Sequence, residues 1–218
     1  MTTTFGLTAQ LADRARRSAS ITVSVGLHRI VPLIDRLVAH GSADWQHDPV
    51  RVDPDPCGSE RALLGQYLDY QRETILSKTD GLTQEQLALK HAPSELTLAG
   101  LLYHLALVEE NWMEVRFSGL PDCEPWVGVD WDSDPDWEFR TACELEPDDL
   151  QRRYREACER SRQVVADAAG LNQLSVQPLR DGQHFSLRWV LLHLIEETAR
   201  HAGHADFLRE AIDGAAGE

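Results

Sequence analysis

The sequence predicts an all-α protein: an up-and-down four-helix bundle over residues 51–218, preceded by an N-terminal extension over residues 1–50 that is helical or disordered. Three observations carry that expectation. Four long stretches repeat their apolar residues at the three- and four-residue spacing of one helix face. Three of them begin behind a Ser or Thr suited to capping, the fourth at a proline, and each stops near a glycine. The chain is also rich in Ala, Leu, Glu and Arg, the residues that favour helix.

Residues 1–40 set themselves apart, with five basic residues (Arg14, Arg16, Arg17, Arg29, Arg36) against two acidic ones (Asp13, Asp35). Pro32 and weak periodicity leave their role open between a docking arm, an extension, and sequence upstream of the true start. A turn-rich stretch with Pro49, Pro54 and Pro56 then reads as a linker from Gly41 to Gly58. Ser59 caps the first long helix, which runs to about Lys78 with Leu63, Leu64, Tyr67, Leu68, Gln71 and Ile75 on its buried side. Thr83 caps a short helix to about Lys90. Thr97 caps the second long helix, to about Phe117, with Leu98, Leu101, Leu102, Leu105, Val108 and Trp112 at helical spacing. From residue 120 to 149 the order breaks: eleven carboxylates, Glu138 among them, stand with Trp126, Trp131 and Trp137 against one basic residue, Arg140. Connections this long are functional or mobile more often than not, although a solvated face is the ordinary reading of such a charge run and loop anchoring that of such tryptophans. The third long helix spans about Pro147 to Ala169, its opening carboxylates complementing the helix dipole. Ser186 caps the last, which ends near Gly214.

Composition narrows the function. With 42 % hydrophobic residues the chain can fill one core. A net charge of −15 excludes nucleic acid and an anionic membrane surface as partners, since both need a basic face. Small molecules are left. Cys57, Cys123, Cys143 and Cys158 are scattered with no paired spacing, which fits reduced thiols. No apolar run approaches the length of about eighteen residues that a membrane span needs. The arginines ahead of Ile21–Leu27 are a poor signal peptide because His28 and Arg29 interrupt the stretch. The expected location is the cytoplasm.

The chemistry concentrates on the last helix. At about 100° per residue, His193, Glu197, His201 and His204 fall within roughly 80° of its circumference, flanked by Leu191, Leu194, Ile195 and Ala202. Flanking residues that apolar demand burial, and buried imidazoles and carboxylates need partners, which one cation satisfies together. Glu197 and His201 are one turn apart on one face, as in other helical metal pairs. His193, four residues from Glu197, is a rival ligand. His104 intrudes at a core position of the second long helix and is the candidate third ligand. Alone, such a histidine is more often bonded to a backbone carbonyl, and Glu197–His201 alone suits a surface ion pair equally well.

The stretch Glu-Glu-Thr-Ala-Arg-His-Ala-Gly-His-Ala-Asp, residues 196–206, together with Ala-Pro-Ser-Glu-Leu-Thr-Leu-Ala-Gly-Leu-Leu-Tyr-His-Leu, residues 92–105, resembles the DinB-like superfamily of helical metalloproteins. It is most similar to an actinobacterial branch related to mycothiol-dependent transferases and isomerases, over about residues 50–215. The resemblance implies a metal held by His104, Glu197 and His201, with Glu197 standing where the family commonly carries histidine, as in the related mycothiol-dependent maleylpyruvate isomerases. It implies zinc, the same donors also admitting nickel or ferrous iron, and a low-molecular-weight thiol of the mycothiol type as co-substrate for an electrophilic small molecule. The metal stabilises the thiolate, which is the nucleophile. Arg188, His204 and the tryptophans of the acidic segment are candidates for contacting thiol or substrate. The alternative is a non-catalytic metal-binding stress or sensor protein. The sequence leaves the oligomeric state open, a homodimer being one option because bundles of this kind often pair.

Overall fold

The structure, a computed structural model, describes residues 51–216; the expectations for residues 1–50 lie outside it. The described residues form six α-helices: α1 (Glu60–Ser77), α2 (Gln84–Leu87), α3 (Leu98–Glu109), α4 (Trp137–Ala142), α5 (Pro147–Asp167) and α6 (Leu187–Asp213). The four long ones make the bundle. The expected caps are in place. The Ser59 side chain accepts from the Ala62 amide, that of Thr97 from Gly100 and that of Ser186 from Trp189, each satisfying an N–H that the first helical turn leaves open. Pro147 opens α5 with Asp148 and Asp149 in its first turn.

Contacts between helix ends fix the directions. Arg188 at the start of α6 pairs with Glu60 at the start of α1, and Arg209 near the end of α6 donates to the Lys78 carbonyl just past α1, so these two helices run parallel. Arg61 at the start of α1 donates to the Ala168 carbonyl just past α5, so α5 runs the other way. Helix α3 is antiparallel to α6, because His104 meets His201 and Trp112 meets Trp189. It is therefore parallel to α5, consistent with Arg153 lying over Tyr103 while Arg160 reaches Glu114.

The directions run up, down, down, up. Parallel neighbours cannot be joined by a tight turn; the chain must first travel back the length of a helix. The acidic segment between Phe117 and Pro147 is that return. Trp126, 6 % exposed, pins it: its ring lies 4.8 Å from that of Tyr103, and its indole N–H donates to the buried Glu110 carboxylate, which Arg160 also engages. Trp137 packs against Trp126 and Trp131, so the tryptophans anchor the segment to the body of the protein. Its second half is helical where the sequence suggested none, as α4, and α4 lies along the start of α3.

The second long helix departs from expectation in another way. From Glu110 to Phe117 it continues as a π-helix, whose wider turns are seen in the bond from the Ser118 amide to the Met113 carbonyl. Glu110 and Glu114 of this stretch both pair with Arg160 of α5.

The core divides into two apolar clusters. One gathers Leu101, Leu105, Leu150, Tyr154 and Leu208, the other Leu68, Met113, Phe117, Phe185 and Leu191. Arg72 of α1 and Glu109 of α3, 3 % and 1 % exposed, meet across the bundle in a two-bond guanidinium–carboxylate pair at 2.7 Å. Burial, reinforced by the Glu109 charge, pushes the adjacent Cys158 thiol up to about 12, which makes it a small inert core residue. Among the described residues no helix is long and apolar enough to cross a membrane.

Candidate metal centre

His104 sits in the middle of α3, between the buried Tyr103 and Leu105, so helical register alone turns its ring toward α6. Glu197 and His201 stand one turn apart on α6, beside buried Thr198 and Ala202. The antiparallel pairing of α3 with α6 brings all three together. His201 Nε2 lies 3.3 Å, and His104 Nε2 3.7 Å, from the same oxygen of Glu197. One donor atom of each residue falls within 4.8 Å of the others, and among the described residues this is the one such group of three.

The proton inventory shows what the cluster lacks. The other nitrogen of His104, Nδ1, lies 3.2 Å from Glu138 Oε1. An ionised carboxylate can only accept, so the proton in that bond sits on Nδ1 and a neutral ring is left with a bare Nε2 facing a second carboxylate. His201 Nδ1 is occupied by His204 Nδ1 at 3.3 Å, and its Nε2 also faces Glu197. His201 can donate from Nε2 to Glu197 while accepting from His204, which leaves His104 Nε2 as the lone pair that faces the carboxylate unmatched. A small cation resolves the arrangement. The donor set fits one: metal–nitrogen and metal–oxygen bonds of about 2.0–2.2 Å place the donors of a tetrahedron roughly 3.3–3.6 Å apart, near the 3.3 and 3.7 Å that separate Glu197 Oε1 from the two Nε2 atoms. Two imidazoles and a carboxylate suit zinc and the neighbouring transition metals. The three side chains keep 21 %, 18 % and 12 % of their surface (His104, Glu197, His201), so the cluster is partly open to solvent.

Charge and burial act on His201 together. Burial first, then the adjoining His104, hold its pKa below the ordinary value, with Glu197 opposing. The ring therefore favours the neutral form that a metal requires.

Other candidates go elsewhere. His193, the rival ligand, packs edge-on to Trp112 at 4.5 Å and stacks on Trp189 at 5.3 Å, outside the cluster. Glu196 points outward to Arg200. Arg188 is roughly 20 Å down the helix from His201 at about 1.5 Å per residue, tied to Glu60 and Asn172, and does not contact the site. His204 does, through His201. The residue that sequence reasoning passed over is Glu138. It is one carboxylate of an acidic run with no periodicity, and nothing local marks it as inward. Its neighbour Phe139 stacks on His104 at 5.0 Å and also lines a cleft of about 610 Å³ with Leu96, Thr97, Arg140 and Cys143.

Comparison with known proteins bears on this geometry. Residues 63–214 match the family model described as mycothiol-S-transferase. The chain belongs to this family. The match covers the bundle from the first turn of α1 to the end of α6, with His104, Glu197 and His201 inside it. Among solved structures, a conserved protein from Enterococcus faecalis superposes with a TM-score of 0.52 at 16 % identity, covering 73 % of this chain and 100 % of that one. An uncharacterized protein from Clostridium difficile 630 gives 0.53 at 11 % identity, covering 72 % and 99 %. At such identities the likeness shows the fold, and with the family match it bears out the DinB-like four-helix bundle. No curated protein matches the chain. Within the mycothiol-S-transferase family, then, this member carries a glutamate and two histidines converging between α3 and α6.

Proposed function

We propose that this protein is a metal-dependent transferase that joins a low-molecular-weight thiol of the mycothiol type to an electrophilic small molecule, with His104, Glu197 and His201 as the metal ligands. The observation that carries the reading is the convergence of three donor groups from two helices at a solvent-reachable point, in a chain of the mycothiol-S-transferase family. Three protein ligands leave a coordination position open, as in catalytic rather than structural sites. A divalent cation held there supplies the positive charge that favours thiolate over thiol at neutral pH.

The chain's own residues do the rest. Glu197 cancels part of the cation's charge and, one turn from His201, sets the spacing of the α6 ligands. His104 closes the site from α3. The cleft beside Phe139 has the size of a small-molecule site, and its rim of Lys90, Glu95, Asp136, Arg140 and Glu144 offers hydrogen-bonding groups suited to a polar thiol. In the transfer, the sulfur attacks an electrophilic carbon, the carbon–sulfur bond forms as the leaving group departs with its electron pair, and the thiol proton is released to solvent.

The test is metal content by elemental analysis of tag-free protein, beside His104→Ala and Glu197→Ala, followed by adduct formation between mycothiol and monobromobimane detected by mass. About one equivalent of metal, lost in both variants, with metal-dependent acceleration of adduct formation, is the expected outcome. Metal bound at that stoichiometry without acceleration would instead identify a non-catalytic metal-binding protein. A wild type that neither contains nor takes up a divalent metal would sink the reading.

A further inference from the structure

Glu138 is the one buried carboxylate of the acidic return segment, at 5 % exposure. Burial of a carboxylate is costly unless charge or hydrogen bonds compensate it. Here compensation is thin. Oε1 has His104 Nδ1 at 3.2 Å, while Oε2 is buried with no hydrogen-bond partner. Arg140, two residues on, is engaged by Asp134 instead. A neutral imidazole is a weak return for a buried charge. It becomes a strong one when a cation sits on the far nitrogen of the same ring, because the ring then donates its Nδ1 proton more strongly.

The surroundings are built to hold that ring still. Phe139 lies nearly parallel to His104, with 20° between the planes. Gly100, one turn before His104, makes room for it: a Cβ there would stand 2.8 Å from Phe139 Cδ1 and 3.4 Å from its Cα. The Thr97 side chain, which caps α3, adjoins the same spot. Two successive residues of α4 thus grip one histidine, Glu138 at its edge and Phe139 on its face.

We propose that Glu138 is a positioning residue of the metal centre: from the return segment its carboxylate accepts the Nδ1 proton of His104, aims Nε2 at the point shared with Glu197 and His201, and raises the affinity for a divalent cation. The inference rests on the metal reading above. It also gives the acidic segment a role beyond connection, since it delivers one residue to the site that neither ligand helix supplies.

The test is a competition titration with zinc and a chromogenic chelator on metal-stripped full-length wild type and Glu138→Gln, with urea unfolding of both metal-free proteins. The expected result is one equivalent bound by each, with affinity lowered about 10- to 100-fold in the variant, and unfolding of the metal-free variant unchanged or shifted to higher urea, because an uncompensated buried charge has been removed. A purely structural role would show the reverse, with stability lost and affinity per folded molecule kept, and would overturn the proposal. Nitrogen NMR of the zinc-loaded wild type gives a readout independent of the variant's folding: His104 is expected as the Nδ1–H tautomer, and the Nε2–H tautomer would refute the assignment. Tight zinc binding by both proteins defeats this inference and leaves the metal reading standing; no zinc bound by the wild type defeats both.

Discussion

At the scale of single residues, the behaviour of His201 follows from where it is held. Burial and the neighbouring His104 keep its pKa below the ordinary 6.5, so on acidification the unfolded chain takes up a proton before the folded one does. Its contribution to stability is therefore complete above about pH 6.5 and is lost as pH falls from there through the lower folded value. The urea midpoint of metal-free protein should decline over that window, and His201→Gln should flatten the decline; a midpoint indifferent to the substitution across pH 5–7 would contradict the assignment. The three donors of the cluster are legible in the sequence for one reason. His104, Glu197 and His201 are polar groups at positions that helical periodicity turns inward, so their oddity shows against a regular background. Glu138 has no such background. Whether a carboxylate in a non-periodic run is buried depends on where the segment is laid down, and that is decided by contacts such as Trp126 on Tyr103, far away in sequence.

Among elements, α4 and the start of α3 form the most closely fitted contact near the site. Gly100→Ala asks a methyl group to occupy space within 2.8 Å of the Phe139 ring, which must shift or strain. Overpacking of this kind costs about 1–3 kcal/mol, and urea denaturation should show a loss in that range. Zinc affinity should fall with it, since the displaced ring is the one resting on His104. A neutral outcome would mean that α4 yields easily and grips nothing. The long helices and their caps at Ser59, Thr97 and Ser186 are readable because cap and periodicity coincide in each. The π-helical stretch from Glu110 to Phe117 is not. Its apolar spacing passes for ordinary helix as far as Trp112, and what distinguishes it is the wider backbone bonding, such as that from the Ser118 amide to the Met113 carbonyl, which side-chain spacing does not report.

For the molecule as a whole, the Arg72–Glu109 pair ties α1 to α3 through the middle of the bundle. Arg72→Met leaves the buried Glu109 carboxylate without its guanidinium, and breaking a pair of this type costs about 3–5 kcal/mol. The urea midpoint should drop accordingly, by every probe together; a loss confined to α1 would show that the pair serves one helix rather than the fold. The four long helices were readable from periodicity, but the order of directions was not, because it depends on the path of a segment that carries no periodic signal. The parallel seating of α6 beside α1 has a further outcome during synthesis. The chain's first bundle helix and its last are neighbours, and two of the three cluster residues lie on the last. On the ribosome, α1, α3 and α5 are all made before α6, so the face of α1 that α6 covers, with Leu68 and Ile75 in the clusters it completes, waits until α6 leaves the exit tunnel. Assembly of the bundle thus waits for α6, and His104, Glu197 and His201 come together only once that helix has been made.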